Sequence, residues 1–163
     1  MEKFNHIELN NEVTKRGDNG FFKLEKDQEA IAEFLREVDY RTVKFSSEMK
    51  RLRYLVEENF YYNIFDKYIE DEIVECIEIA KNFKFEFKSY MAASKFYKDY
   101  ALKTNDKKQY LENFNQHVFI VAMYLGDGNT ALAKELMIAM LEQRLQPATP
   151  TFLNSGRSRR GEL

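Results

Sequence analysis

The sequence has 163 residues, 44% of them apolar, and a formal net charge of -2. This length and apolar content fit one domain with a core and exclude a disordered tail. No apolar run approaches the roughly 18 residues that a membrane-spanning helix needs, and the first residues show no secretory signal. The near-neutral charge argues against direct nucleic-acid binding, so we expect neither a membrane nor a nucleic acid as partner. The single cysteine, Cys76, cannot form an internal disulfide, which fits a cytoplasmic protein.

The aromatic content is unusual: 14 phenylalanines and 10 tyrosines, with no tryptophan. Large rings bury much area each, so core filling is the first interpretation. A ring-lined nucleotide pocket is the alternative that the composition leaves open.

The first 26 residues differ in pattern from the rest. Ile7 and Leu9, and later Phe22 and Leu24, alternate with polar residues as in a half-buried strand, and turn residues lie between the two pairs. The pattern predicts a β-hairpin within residues 1–26. Because an isolated hairpin is marginally stable in water, we expect it to dock on the residues that follow.

From Asp27 the apolar spacing becomes helical and predicts a helical domain over residues 27–147. Asp27 is a candidate N-cap for its first helix. The stretch that begins at Ser89 is apolar on more than one side, which predicts a central helix. Further caps are predicted at Ser46 or Ser47, at Asn129 or Thr130, and, in left-handed conformation, at Gly126. The predicted fold class is therefore mainly α, with about six or seven helices and one small hairpin.

No common catalytic pattern precedes Gln146. The sequence contains no HExxH, GxxxxGK[ST] or GxGxxG, and no metal site is predicted. For His117, which lies on a predicted helix, a satisfied or surface histidine is the default interpretation. Cys76 lies beside a buried stripe, which indicates a small half-buried residue rather than a metal ligand or redox group.

The last eighteen residues, QPATPTFLNSGRSRRGEL, contain both prolines of the chain. After Pro147, small or hydroxylic residues alternate with apolar ones, which predicts a strand with Pro150 at its edge or its beginning. The hydroxyls of Thr149, Thr151 and Ser155, the nearby backbone N–H groups and the arginines are suited to hold an anion such as a phosphate. A basic, disordered C-terminus is the alternative.

These eighteen residues resemble the signature that leads into the active site of the large subunit of ribonucleotide reductase, in its class Ib form. The phrases LNNEV, KFYKDYALKTNDKKQYLE and FIVAMYLGDGNTALAKELM resemble the N-terminal region of the same subunit. The resemblance covers nearly all of the chain and is loosest between Asp39 and Lys84.

The resemblance implies an enzyme that reduces ribonucleoside diphosphates to deoxyribonucleoside diphosphates for DNA synthesis, inside a ten-stranded α/β barrel. In that family a thiyl radical, generated from a dimetal-tyrosyl small subunit, abstracts a hydrogen from the ribose, and a pair of cysteines supplies the electrons. Residues 148–163 would then begin the first barrel strand, and the predicted hairpin resembles a degenerate ATP-cone. The resemblance implies no cofactor bound by this chain itself.

Two substrate-binding residues are carried over from the resemblance, and no catalytic residue is. Thr149 matches the threonine that contacts the bound substrate in the family. Thr151 is the second candidate, because two residues on it would face the same side of a strand. The alternative is that both hydroxyls satisfy backbone groups at the edge of the barrel.

In the family, RRGEL leads directly into a segment with the first reducing cysteine, whereas this sequence ends at Leu163. We therefore expect the chain to be inactive alone and to be completed by a separate downstream polypeptide, as in a split gene or an intein host. A free-standing helical module that binds a nucleotide or the small subunit is one alternative, and an accidental truncation is another. Without barrel neighbours, residues from about Thr149 to Leu163 would have unpaired backbone groups, so we predict that they are mobile in the isolated chain.

Overall fold

The computed structural model describes residues 4–13 and 24–158. In chain order its α-helices are α1 (His6–Val13), α2 (Leu24–Tyr40), α3 (Glu48–Glu57), α4 (Glu70–Asn82), α5 (Tyr90–Lys95), α6 (Phe114–Gly126), α7 (Thr130–Leu141) and α8 (Thr149–Asn154). A 3₁₀ turn spans Ile64–Asp66, and a π-helix spans Phe96–Tyr100. The predicted mainly helical class is confirmed, since the described residues pair as strands only in three isolated bridges.

The chain divides into two compact units. The first comprises Met1–Val43 and Glu86–Glu112, and the second comprises Lys44–Phe85 and Asn113–Leu163. Within the residues that the structure describes, no helix combines the length and apolar character needed to cross a membrane.

In the first unit, α1 replaces the strand predicted around Ile7 and Leu9. Ile7 is 62% exposed, so the apolar alternation does not mark a buried face. The partly buried positions of the helix are instead His6, Leu9, Asn10, Glu12 and Val13, and four of these, at 6, 9, 10 and 13, recur at helical spacing. The strand prediction was wrong because polar residues share the inward face of α1, so the spacing of apolar residues alone does not identify that face. Leu24, predicted in the second strand of the hairpin, begins α2 instead. Residues 14–23 of the predicted hairpin lie outside the described residues.

Helix α2 packs against α1 and α5, and its buried apolar residues recur at the helical spacing that the pattern after Asp27 predicted. Phe34 lies at its centre and makes edge contacts with the rings of Tyr90 and Tyr97. Asp27, predicted to cap α2, lies inside that helix instead. Its Oδ1 accepts a hydrogen bond from the backbone N–H of Tyr90 at 3.2 Å, so it satisfies an orphan donor at the start of α5.

In the second unit, α6 is the central helix and is buried on every side. Its buried residues run without interruption from His117 to Met123, which is expected of a core helix. Helices α4 and α7 pack on it. The side-chain amide of Asn115 donates to the carbonyls of Ala80 and Phe83 and so completes the C-terminus of α4. The predicted central helix at Ser89 is shorter and has fewer buried residues: Ala93, Phe96 and Tyr97.

Two of the four predicted helix caps are confirmed. Ser47 and Asn129 cap α3 and α7, each through a side-chain oxygen that accepts a backbone N–H. The left-handed cap after α6 is Asp127, with φ 45°, and not Gly126. Gly126 is the last helical residue, where a Cβ would stand 2.8 Å from the Cβ of Ala133. Close helix packing therefore explains this glycine better than backbone conformation does.

The strand predicted from Ala148 is also wrong, because Thr149–Asn154 form helix α8. Pro150 lies at the second helical position, where the missing N–H costs no internal hydrogen bond. Phe152 and Leu153 are adjacent in sequence and both turn inward, which a helix permits and a strand does not. The described part of this segment is helical and packed, whereas its mobility was predicted from unpaired backbone groups; the mobility itself stays a prediction. Residues 159–163 lie outside the described residues.

Candidate functional site

The segment after α7 docks on the second unit through α8 and the three residues 156–158. The backbone N–H of Tyr62 donates to the carbonyl of Gly156, and that of Ser158 donates to the carbonyl of Phe60, each at 3.0 Å. These two bonds form an antiparallel bridge between Tyr61 and Arg157. The backbone that was expected to be unpaired therefore finds its partners within the unit.

Gly156 is required at this docking point for two reasons. Its φ is 81°, in the left-handed region that favours glycine. A Cβ there would stand 2.7 Å from the Cγ1 of Ile120 and 2.9 Å from its carbonyl oxygen. The segment can approach the backbone of α6 this closely only because residue 156 has no side chain.

His117 forms the polar contact between α6 and α8. It is fully buried, with 0% relative exposure. Its Nε2 lies 2.6 Å from the carbonyl oxygen of Phe152, and the ring of Phe152 packs edge-on at 4.5 Å between centroids. The other ring nitrogen, Nδ1, lies 3.4 Å from a guanidinium nitrogen of Arg157.

These two partners define the tautomer of His117. A carbonyl oxygen only accepts, so Nε2 carries the hydrogen and donates it to Phe152. A guanidinium only donates, so Nδ1 accepts from Arg157. The imidazole thus bridges two points of the same segment, one in α8 and one in the bridge that follows it.

A second polar network lies at the N-termini of α3 and α6. Arg51 is buried, and its Nε donates to Glu48 at 3.0 Å, while Gln116 donates to the other oxygen of Glu48 at 2.6 Å. Burial by itself lowers the pKa of Arg51, but Tyr61 and Glu48 more than offset it, and the pKa lies above its ordinary value. Because Tyr61 also belongs to the bridge with Arg157, the network extends to the docked segment.

The two predicted substrate-binding residues lie on α8, and both are exposed. Thr149 is the first residue of the helix and Thr151 the third. Residues two apart on a helix point about 200° away from each other. The expectation that both hydroxyls face one side is therefore wrong, because it assumed a strand.

Cys76 is buried in α4, with 0% relative exposure. Burial raises the pKa of its thiol to about 11, which keeps it protonated and unreactive at neutral pH. Among the residues described, no group of three or more histidine, cysteine or acidic side chains is placed to hold a metal ion.

The first unit contains its own polar cluster around His6. The Nδ1 of His6 lies 2.8 Å from the hydroxyl of Tyr90, and its Nε2 contacts the carboxylate of Glu37. The rings of Phe34 and Tyr90 flank the imidazole. The cluster joins α1 to α2 and α5.

The interpretation of His117 as a satisfied histidine is confirmed, since both of its ring nitrogens have partners. Its contact with α8 and the role of Gly156 were not predicted from the sequence. One signal for His117 was present: it is the one polar residue in the otherwise apolar run HVFIVAM, and a polar group inside a core needs a partner. Nothing local identified the partner, since Phe152 is 35 positions away.

Two adjoining stretches of the sequence match known protein families. Residues 6–85 match "Ribonucleotide reductase N-terminal". Residues 86–160 match "Ribonucleotide reductase, all-alpha domain". Together the two matches cover residues 6–160.

Similar proteins include the ribonucleoside-diphosphate reductase subunit alpha of Bacillus subtilis, 46% identical over 159 residues. That alignment covers 96% of this chain and 23% of the relative. The protein of the same name from Mycoplasma pneumoniae is 39% identical over 160 residues, 97% of this chain and 22% of the relative. This chain thus spans less than a quarter of the length of these relatives. Its matches show that it belongs to the ribonucleotide reductase family, as an N-terminal part of the large subunit.

Proposed function

We propose that this chain serves as the N-terminal part of a class Ib reductase that converts ribonucleoside diphosphates to deoxyribonucleoside diphosphates for DNA synthesis. The observation that carries the proposal is the match of residues 6–160 to the two reductase domains. The resemblance of the last eighteen residues to the class Ib signature supports the class. We place the activity in the cytoplasm, where a lone cysteine stays reduced.

Within that function, Thr149 and Thr151 are the proposed substrate contacts. Both lie exposed on α8, whose position is defined by Leu153, Gly156 and His117. A hydroxyl on a rigidly placed element is suited to orient a phosphate or a ribose. Because the two side chains diverge on the helix, we propose Thr149 as the principal contact.

The radical chemistry belongs to other parts of the enzyme. The 163 residues contain one cysteine, which is buried, whereas the family uses a reducing pair and a thiyl radical. We therefore propose that this chain is inactive alone and works together with the remainder of the large subunit, which carries the radical and reducing groups. The radical would come from a dimetal-tyrosyl small subunit, and the chain itself would bind no cofactor.

Coexpression with a polypeptide that carries the reducing cysteines tests this proposal. We expect the two to copurify and, with the small subunit, to reduce CDP, while either alone does not. Activity of this chain alone, or no association between the two, would overturn the proposed completion.

The alternative is a non-catalytic module that binds a nucleotide or the small subunit. The observation in its favour is the partly buried cluster of His6, Glu37 and Tyr90, flanked by aromatic rings. Calorimetry of the chain with adenine nucleotides, and with the small subunit, separates the two functions. Binding without any effect on CDP reduction in the coexpressed complex would favour the module.

A further inference from the structure

We propose that His117 is the positioning residue of the proposed substrate-binding segment, residues 149–157, and that it acts through its two ring nitrogens. This inference rests on the proposed function for its consequence in catalysis. Its structural part, that His117 holds the segment in place, stands on the contacts of the second unit alone.

Helix α8 needs an external restraint. Six residues are too few for a helix that is stable by itself in water. Its last turn also leaves carbonyl groups without helical partners. The carbonyl of Thr151 accepts from Ser155, and that of Asn154 accepts from Arg157, each at 3.1 Å. The carbonyl of Phe152 accepts from His117 at 2.6 Å, so a side chain of α6 completes the end of α8.

The second nitrogen extends the restraint beyond the helix. Arg157 donates to Nδ1 and belongs to the bridge with Tyr61. One imidazole therefore fixes the distance between α8 and the bridge. Few other side chains offer a donor and an acceptor on opposite edges of one rigid ring.

The apolar contacts alone define the position of α8 less closely than the hydrogen bonds of His117 do. Leu153 is buried and Phe152 packs on the imidazole edge, but hydrophobic contact is non-directional. A hydrogen bond to one carbonyl defines the rotation of α8 about its axis. That rotation decides which of the two threonines, about 200° apart, faces a ligand.

Amide hydrogen exchange of the whole chain tests the structural part. We compare His117→Phe, which keeps a ring and loses both hydrogen bonds, with His117→Gln, whose amide N–H can still donate to Phe152. In His117→Phe we expect the amides of Ser155 and Arg157 to exchange roughly tenfold faster or more, and His117→Gln to restore part of the protection. Unchanged exchange in His117→Phe, or equal exchange in both variants, would overturn the proposal.

A destabilising variant elsewhere in the same unit separates positioning from loss of global stability. Met137 is fully buried in α7, and Met137→Ala should accelerate exchange through global opening. For His117→Phe we expect the acceleration at Ser155 and Arg157 to exceed that at Ala133, an amide within α7. The two variants are compared by the ratio of the acceleration at Ser155 and Arg157 to the acceleration at Ala133. If this ratio is the same in Met137→Ala as in His117→Phe, His117 has no positioning role.

Kinetics of the completed enzyme test the consequence for the reaction. We expect His117→Phe to raise the KM for CDP with a smaller change in kcat, because a displaced binding group weakens ground and transition states alike. An unchanged KM in His117→Phe, beside a raised KM in Thr149→Val, would overturn the positioning role. An unchanged KM in Thr149→Val would instead refute the proposed substrate contact, while the exchange experiment still decides the role of His117.

Discussion

The backbone of Gly156 lies against Ile120 so closely that an added Cβ would stand 2.7 Å from the Ile120 Cγ1 atom. This contact places the end of the C-terminal segment on the central helix of its unit. Together with the hydrogen bond between buried His117 and the carbonyl of Phe152, it attaches the segment to the core of the unit.

Gly156→Ala should therefore release the segment. The left-handed φ of 81° costs an alanine about 1 kcal/mol or more, and overpacking against the Ile120 backbone adds about 1–3 kcal/mol. We expect a loss of about 2–4 kcal/mol in the free energy of unfolding, measured by urea denaturation. Gly128→Ala is the matched control, since its φ is also positive but its nearest contact is a single carbonyl at 3.2 Å. Equal losses in the two variants would contradict the close-packing explanation.

Glu48→Gln should destabilise the second unit, because Glu48 compensates the buried charge of Arg51. Leaving a buried cation without its anion costs about 3–5 kcal/mol when a partner is removed entirely. The isosteric amide keeps part of the hydrogen bonding, so we expect a loss of about 1–3 kcal/mol in chemical denaturation.

Two further variants control for this effect. Glu57→Gln changes an exposed carboxylate at the end of the same helix and should alter stability by less than about 0.5 kcal/mol. Glu48→Gln combined with Arg51→Met should be more stable than Glu48→Gln alone, because the buried charge is gone. If the double variant is less stable than Glu48→Gln alone, Arg51 stabilises the unit through its other contacts even when its charge is not balanced.

The buried thiol of Cys76 predicts a pH dependence of stability. Its pKa is raised from 9.0 to about 11 in the folded protein. Below pH 9 the thiol is protonated in both the folded and the unfolded state, so its full contribution to the free energy of unfolding is present. Between about pH 9 and pH 11 only the unfolded state loses the proton, and the free energy of unfolding therefore falls as pH rises. The total loss in the free energy of unfolding across this range is at most about 3 kcal/mol.

Urea denaturation across this pH range, under reducing conditions, measures the effect. Burial also raises the pKa of Tyr62, so the informative quantity is the difference between the wild type and Cys76→Ala. That difference should decline from pH 9 to pH 11. A constant difference would mean that the thiol titrates alike in both states.

The two threonines should differ in their effect on the completed enzyme. If Thr149 donates one hydrogen bond to the substrate, Thr149→Val should lower kcat/KM for CDP by roughly three- to tenfold. Thr151→Val, a change of the same size on the opposite side of α8, should have a smaller effect. The reverse order would assign the contact to Thr151 and would indicate a different rotation of the helix.

Much of the helical fold was open to prediction because its signals are local. Ser47 and Asn129 cap the next turn of their own helices, and the inward face of α2 depends on spacings of three and four residues. The family resemblance also rests on contiguous phrases. Each of these properties depends on residues that are neighbours along the chain.

The errors occurred where local alternation competed with long-range packing. Ile7 and Leu9 suggested a strand, but His6 turns inward because Glu37 and Tyr90 satisfy both of its nitrogens. Residues 148–154 also alternate, but they become helical where Leu153 and Phe152 can both pack inward. Polar groups that face a core have no signature in sequence until their partners are known.

Composition, periodicity and resemblance were thus enough to establish a mainly helical chain of the reductase family. The docking of the C-terminal segment depends on pairs such as Gly156 with Ile120 and His117 with Phe152, which are 36 and 35 positions apart along the chain. A six-residue helix has no stable position of its own in water. Its location, and the direction in which its threonines point, come from the core that receives it.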